Sequence, residues 1–294
     1  MGRRYGRGDM PAHDTVSFLS DYGYDDEFVG VVHSVIRGIA PEALVIDLTH
    51  GIPAHDTRAG GLALARAVQY VAPGVILAVV DPGVGTARRA VAVEVGDGAG
   101  IFIGPDNGLL APAVAMAGGA TRAVELTDER YHLPAPGATF AGRDVFAPVA
   151  GHLCAGVELD ELGPPVDTAT LLPGVLPVSR TEGDVVVAEV LWVDRFGNAQ
   201  LNIGPDEVPA LRHTLTTGTI VRTATRAESY GAVPPGGVGL VTDAYGLVSV
   251  ALDRHSAAGE LGLEPGVELQ LAPLADDGPD RSSTIAFPTV RREV

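Results

Sequence analysis

A single cysteine, Cys154, stands in the whole chain, which excludes an intrachain disulfide framework and any multi-cysteine zinc or iron–sulfur site. A reducing cytoplasm is the expected compartment. Basic side chains are scarce: 20 Lys and Arg face 37 Asp and Glu, a net charge of -17. Phosphate binding draws on clustered basic groups, so this balance argues against nucleic acid as the main partner and tolerates a cationic ligand better. No apolar run approaches the ~20 residues of a membrane span. The basic, glycine-rich opening MGRRYGRGDMPAHD lacks the apolar centre of a signal peptide, and it reads as a frayed tail before Thr15.

Several common ligand motifs are missing too. There is no Walker glycine–lysine loop and no Gly-x-Ser-x-Gly elbow. Gly83-Val84-Gly85-Thr86-Ala87-Arg88 starts like a dinucleotide fingerprint, but Arg88 replaces the third glycine, which permits close helix–sheet packing, so a Rossmann cofactor site is not expected. Gly96-Asp97-Gly98-Ala99-Gly100 reads as a flexible hairpin.

What is present is an ordered set of apolar strands closed by acids. VILAVVDPGVGTARR, at 75–89, runs into Asp81, a Pro-Gly turn and the paired Arg88 and Arg89. VSFLSDYG delivers Asp21, ALVIDLTHG delivers Asp47 and His50, and GIFIGPDNG delivers Asp106 and Asn107. Between them lie helical patterns at Phe28 to Ile39 and Thr57 to Val71. Strands alternating with helices imply an α/β fold with a doubly wound, mainly parallel sheet, whose ligands sit beyond the carboxyl ends of the strands. On this reading the four strand-end acids converge on one sheet edge.

At 294 residues and 46% hydrophobic content the chain favours two units. The expected division is an N-terminal α/β domain over 15–162, ending in a helix over 145–157; a Pro-rich linker over 163–182; and a smaller all-β domain over 183–294. That last domain reads as a barrel or sandwich, with a helical turn near Ala257 to Leu261 and a surface tail FPTVRREV.

His50, His55 and Asp56, like His152 with Cys154, have no recognised metal-ligand spacing. His152 and Cys154 sit two residues apart on an apolar helical stretch and cannot share a face, so core packing is expected there. His50 and His55 are candidates to line a pocket, with no metal assigned. In LWVDRFGNAQLNI, at 191–203, Asp194, Phe196 and Asn198 fall on a tight loop. It reads either as a hairpin turn at Gly197-Asn198 or as a nucleoside clamp, with a ring for stacking, an amide for an adenine edge and a carboxylate for a cation.

FLSDYG at 18–23, IDLTHGIPAHD at 46–56, VVDPGVGTARR at 79–89, GPDNGLL at 104–110, TFAGRDVFAP at 139–148 and DRFGN at 194–198 occur in order across nearly the whole chain. Together they resemble the adenosine-forming S-adenosyl-L-methionine (SAM) hydrolases, relatives of the SAM-dependent fluorinase and chlorinase. The resemblance implies an α/β domain joined to a barrel-like domain, and a homotrimer with the ligand between subunits. SAM is then the substrate, adenosine a product, and no cofactor is needed. By similarity Asp21 holds the ribose hydroxyls, Phe196 and Asn198 take the adenine, and Asp194 takes the methionine ammonium. Phe140, Gly142 and Tyr230 join the substrate-binding set.

The family's hydrolytic set is an Asp, an Arg and a His. Asp81 and Arg88 match the first two, whereas the position of the histidine before Gly-Arg-Asp is Ala141, with His132 nearby in YHLP. The related halogenases carry a tyrosine where Asp81 stands, and a carboxylate there would repel a halide. A SAM-dependent halogenase and a non-catalytic SAM or adenosine sensor are the alternatives to a hydrolase.

Overall fold

The computed structural model describes residues 13–96, 98, 100–275, 280 and 282–284. The tail over 1–12, the closing FPTVRREV, and Asp97 and Ala99 of the glycine hairpin lie outside the described residues. The chain divides into two compact units between Leu176 and Pro177.

The N-terminal unit is built in the order β1 (Thr15–Ser20), α1 (Phe28–Ile39), β2 (Leu44–Thr49), α2 (Thr57–Val68), β3 (Gly74–Val79), β4 (Ala90–Val95), β5 (Gly100–Pro105), α3 (Ala111–Met116), β6 (Ala120–Glu125) and α4 (Ala147–Cys154). Its sheet has the strand order β2-β1-β3-β5-β4-β6. β1, β2, β3 and β5 are mutually parallel, while β4 runs antiparallel to both β5 and β6. Val95 pairs with Gly100, so β4 and β5 do form a hairpin across the glycine-rich turn.

The continuous apolar runs of the central strands follow from burial on both faces. Val75, Leu77 and Val79 pack with Val32 and Ile36 of α1 and Val149 and Leu153 of α4. Ile76, Ala78 and Val80 pack on the opposite face with Leu64 of α2 and Ala113 and Val114 of α3. Period-two alternation thus places one helix pair on each face, which is the doubly wound arrangement. Asp56 caps α2 by accepting from the Ala59 N–H at 2.8 Å, so this acid is a helix cap.

Chain reversal about β1 sets up the ligand edge. α1 leads from β1 outward to β2, and α2 carries the chain back across β1 to β3 on its other side. The strand order therefore reverses between β1 and β3, and the crevice beyond their carboxyl ends is the expected ligand position.

The stretch following Leu162 runs along β6 and the β5 turn. Glu125 N–H donates to the Pro164 carbonyl at 2.9 Å and Val166 N–H to that of Ala123 at 2.8 Å. Thr170 and Leu172 then bond Arg89 and Asp106.

The C-terminal unit contains β7 (Arg180–Glu182), β8 (Val185–Val193), β9 (Ala199–Leu201), β10 (Arg212–Thr217), β11 (Ile220–Ala227), β12 (Val238–Thr242), β13 (Val248–Leu252), α5 (Ala257–Leu261), β14 (Glu268–Leu274) and β15 (Ser282–Thr284). Strands pair in the order β10-β14-β8-β9-β13-β12-β11, and β11 pairs back to β10. Seven strands therefore close into a barrel, with β7 and β15 added outside the ring. Val186, Ala188 and Val190, at alternate positions of β8, face its core with Leu215, Leu240, Val250 and Leu271. Closure removes the unpaired edges that an open sheet would expose.

Candidate active site

Asp21 directly follows β1, and Asp81 lies two residues beyond the end of β3, after Val80. Both line one cavity of about 620 Å³, together with Phe140, Ala141 and Gly142. The Asp81 side chain is 6% exposed and that of Arg88 15%. Arg88 Nε donates to Asp81 Oδ1 at 2.8 Å and to Oδ2 at 3.1 Å, and its Nη2 also donates to Oδ2. This fork holds a carboxylate in a fixed plane, and the guanidinium lies 5.3 Å from the centroid of Phe146.

Arg88 opens onto a second cavity of about 640 Å³, lined also by His132, Asp144 and Ala141. Ala141 thus borders both cavities. His132 follows the short 3-10 turn Glu129–Tyr131, and burial holds its imidazole below the usual value.

Asp21 is oriented from the loop after β2: its Oδ2 accepts the His55 N–H at 2.9 Å. His55 has φ 68°, a left-handed conformation uncommon for a non-glycine residue. His55 lines the Asp21 cavity, as its sequence position suggested. His50 does not; it is fully buried behind the strand end.

Tyr22, Phe28 and Phe140 form an aromatic cluster on the cavity wall, with ring centroids 5.0–5.6 Å apart. Burial pushes the Tyr22 phenol well above its ordinary value, and the Asp21 and Asp81 carboxylates add to the rise against Arg88. Gly142 opens a π-helical turn, Gly142–Phe146, that runs into α4; a Cβ there would collide with the Tyr22 hydroxyl. Glycine at this position is what lets the ring lie against the turn.

The expected convergence of four strand-end acids is therefore halved. Asp47 lies against two histidines: it is hydrogen-bonded to His33 Nε2 at 2.7 Å, and His50 Nε2 approaches the same Oδ1 to 3.0 Å. Burial opposes its ionisation, but the His50 and His33 imidazoles beside it outweigh that and hold the carboxyl below its usual range. Asp106 is tied to Arg89 Nε at 2.8 Å and to Leu172 N–H at 2.8 Å. Asn107 donates to the Val80 carbonyl at 2.9 Å and closes its own turn. Strands β2 and β5 flank the reversal point, so their ends lie to either side of it.

In the barrel unit, Asp194, Phe196 and Asn198 share the loop between β8 and β9. Asp194 Oδ1 accepts the N–H groups of Phe196 and Asn198 at 2.8 and 2.9 Å, and its Oδ2 accepts Asn198 Nδ2 at 2.8 Å. The carboxylate thus builds the loop; the Asn198 amide oxygen and its second amide hydrogen take no part in these bonds. Phe196 is 74% exposed, and Tyr230, in the turn Tyr230–Ala232, is 41% exposed. Gly197 has φ 84°, and a Cβ on it would collide with Ser256, the N-cap of α5.

Cys154 is buried, and burial with the Asp14 charge pushes its thiol up to about 11. His152 stacks edge-on against Tyr131 at 5.1 Å. Among the described residues no group of three or more His, Cys, Asp or Glu is placed to hold a metal ion, and no helix is long and apolar enough to cross a membrane. Sequence reading did not mark Tyr22 as a wall residue. The signal available was its place inside SDYG, beside Asp21.

Profiles of the SAM hydroxide adenosyltransferase N-terminal and C-terminal domains match residues 16–163 and 188–270. A protein from Salinispora tropica named (R)-S-adenosyl-L-methionine hydrolase is 44% identical over 87% of this chain and 97% of its own length. One of the same name from Thermus thermophilus is 42% identical over 87% of this chain and 98% of its own. A fluorinase from Actinoplanes sp. is more distant, 27% identical over 66% of this chain and 74% of its own. Among solved structures, an uncharacterized conserved protein from Thermotoga maritima is similar with a TM-score of 0.80 and 31% identity, covering 87% of this chain and 99% of its own. With both domain profiles matched in order, the chain belongs to the SAM hydroxide adenosyltransferase family.

Proposed function

We propose that this chain hydrolyses SAM at C5′ to adenosine and L-methionine. The observation that carries the reading is the forked Asp81–Arg88 pair beside Asp21 at the β1/β3 reversal point. Water oxygen attacks C5′ in line with the C–S bond, and the bonding pair leaves on sulfur as the neutral thioether of methionine. One water proton passes to solvent. A sulfonium leaves without general-acid help, so the protein's task is to place and partly desolvate the water. Asp81 accepts a hydrogen bond from that water through lone pairs not used by Arg88, and Arg88 keeps the carboxylate in plane and stabilises hydroxide character.

In this proposal Asp21 accepts the ribose hydroxyls, a role suited to a carboxylate facing two O–H donors. Phe196 and Asn198 take the adenine, Asp194 the ammonium, and Phe140, Gly142 and Tyr230 complete the binding set. The exposed Phe196 ring supports the stacking role. The working form we propose is a cytoplasmic homotrimer with its sites at subunit interfaces and no cofactor. The resemblance and the single buried thiol support that form.

Incubation of the purified protein with SAM in H₂¹⁸O tests the reading, with adenosine carrying the label at its 5′ oxygen as the expected product. Binding without adenosine would replace the hydrolase with a sensor. A 5′-halogenated nucleoside in added halide would replace it with a halogenase.

A further inference from the structure

Behind the Asp21 turn lies a buried serine–histidine pair that lines neither cavity. Ser20 and His50 are both fully buried, and Ser20 Oγ lies 2.7 Å from His50 Nδ1. On the other side of the ring, Nε2 lies 3.0 Å from Asp47 Oδ1, a short contact without hydrogen-bond geometry. The ring hydrogen is assigned to Nε2, the nitrogen that faces the acceptor-only Asp47 carboxylate. In the neutral imidazole Nδ1 is then the acceptor, and Ser20 Oγ–H donates to it. The serine oxygen in turn accepts the Tyr22 N–H at 3.2 Å.

The same loop grips the turn twice more. The Gly23 N–H donates to the His50 carbonyl at 2.8 Å, and the His55 N–H donates to Asp21 Oδ2. Residues 20–23 are thus bonded from the 50–55 loop on both sides of Asp21. The ring of His50 is fixed in turn by Phe18 and Tyr24, with centroids 4.5 and 5.2 Å away. Ser, His and Asp here form a sequence of contacts like a nucleophilic triad, but full burial keeps Ser20 from any substrate. The arrangement orients a backbone turn.

We propose that His50 is a positioning residue for substrate binding, acting through Ser20 to set the turn that presents Asp21. This rests on the reading of Asp21 as the ribose ligand. Asn at position 50 retains an acceptor near the place of Nδ1, whereas Gln retains a donor near the place of Nε2, so the two variants separate the two ends of the ring. Adenosine is the probe, titrated calorimetrically into the full chain, with melting curves recorded in parallel.

His50→Gln is expected to weaken adenosine binding about tenfold and to raise KM for SAM with a much smaller change in kcat, as loss of one buried hydrogen bond implies. His50→Asn is expected to stay within about threefold of the parent, because the bond to Ser20 survives. A folded His50→Gln that binds adenosine like the parent, or a His50→Asn that is equally weak, overturns the proposal. Where His50→Gln fails to fold, Ser20→Ala carries the same expectation and the same refutation. A parent chain that binds no adenosine overturns both this proposal and the Asp21 reading, whereas parent binding with an unaffected variant overturns the relay alone.

Discussion

Asp81 with Arg88 and Asp106 with Arg89 are two copies of one device, a carboxylate beyond a parallel strand end paired with one of two adjacent arginines. Their surroundings differ. Asp81 has both oxygens taken by Arg88 alone and shares a cavity of about 620 Å³ with Asp21, whereas Asp106 divides its oxygens between Arg89 and the Leu172 N–H, under the strap that Thr170 anchors, beside a smaller cavity of about 260 Å³. The same pairing borders the Asp21 cavity in one place and ties down a segment in the other. The difference lies in strand order: β3 sits beside β1 where the connections reverse, and β5 lies one strand further on. At a reversal point the two connecting segments leave in opposite directions and open a crevice, while elsewhere a loop closes over the strand end.

Four substitutions bear on that contrast. Asp81→Ala should reduce kcat for adenosine release by roughly 10³-fold when turnover is measured well below the melting temperature, as loss of a group acting on the reacting water implies. Undiminished turnover would remove Asp81 from the mechanism. Asp106→Ala should do the reverse, costing about 2 kcal/mol of stability because Arg89 and the Leu172 N–H lose their partner. Melting curves should shift down by several degrees while the remaining activity at low temperature stays within a few-fold. A normal melting temperature with lost turnover would make the two pairs functionally alike.

Ala141→His places an imidazole on the wall shared by both cavities and should raise kcat about tenfold, within the range of acid–base assistance. No rise would mean that the Asp81–Arg88 pair already handles the water alone. The smallest effect belongs to Asp47 at the end of the outer strand. Its carboxyl titrates below the ordinary 3.8 in the fold, so its contribution to stability is complete above that value and is lost as pH falls through the folded one. The stability gap between the parent and Asp47→Asn should therefore hold down to the ordinary 3.8 and narrow as pH falls below it; a gap independent of pH there would detach it from the neighbouring histidines.

The strands, both principal helix patterns and the all-β character of the second unit were legible because burial on two faces imposes apolar runs, and burial on one face imposes alternation. The turn Ala257–Leu261 was legible from its local pattern. Less legible was β4, an antiparallel strand inserted between β5 and β6, because AVAVEV alternates without naming its partners. His50 was read as a pocket candidate from its place after a strand end, yet its ring turns back into the core beside Phe18. Nothing local distinguishes an imidazole that faces solvent from one that bonds a buried serine.

Residue order alone was enough to mark the α/β unit and an all-β second unit, the acids at strand ends and the placing of Asp81 and Arg88 at one strand end. It was not enough to decide which strand-end acids share a cavity. That depends on the order in which strands assemble into the sheet, and strand order is set by packing among distant segments rather than by any spacing along the chain.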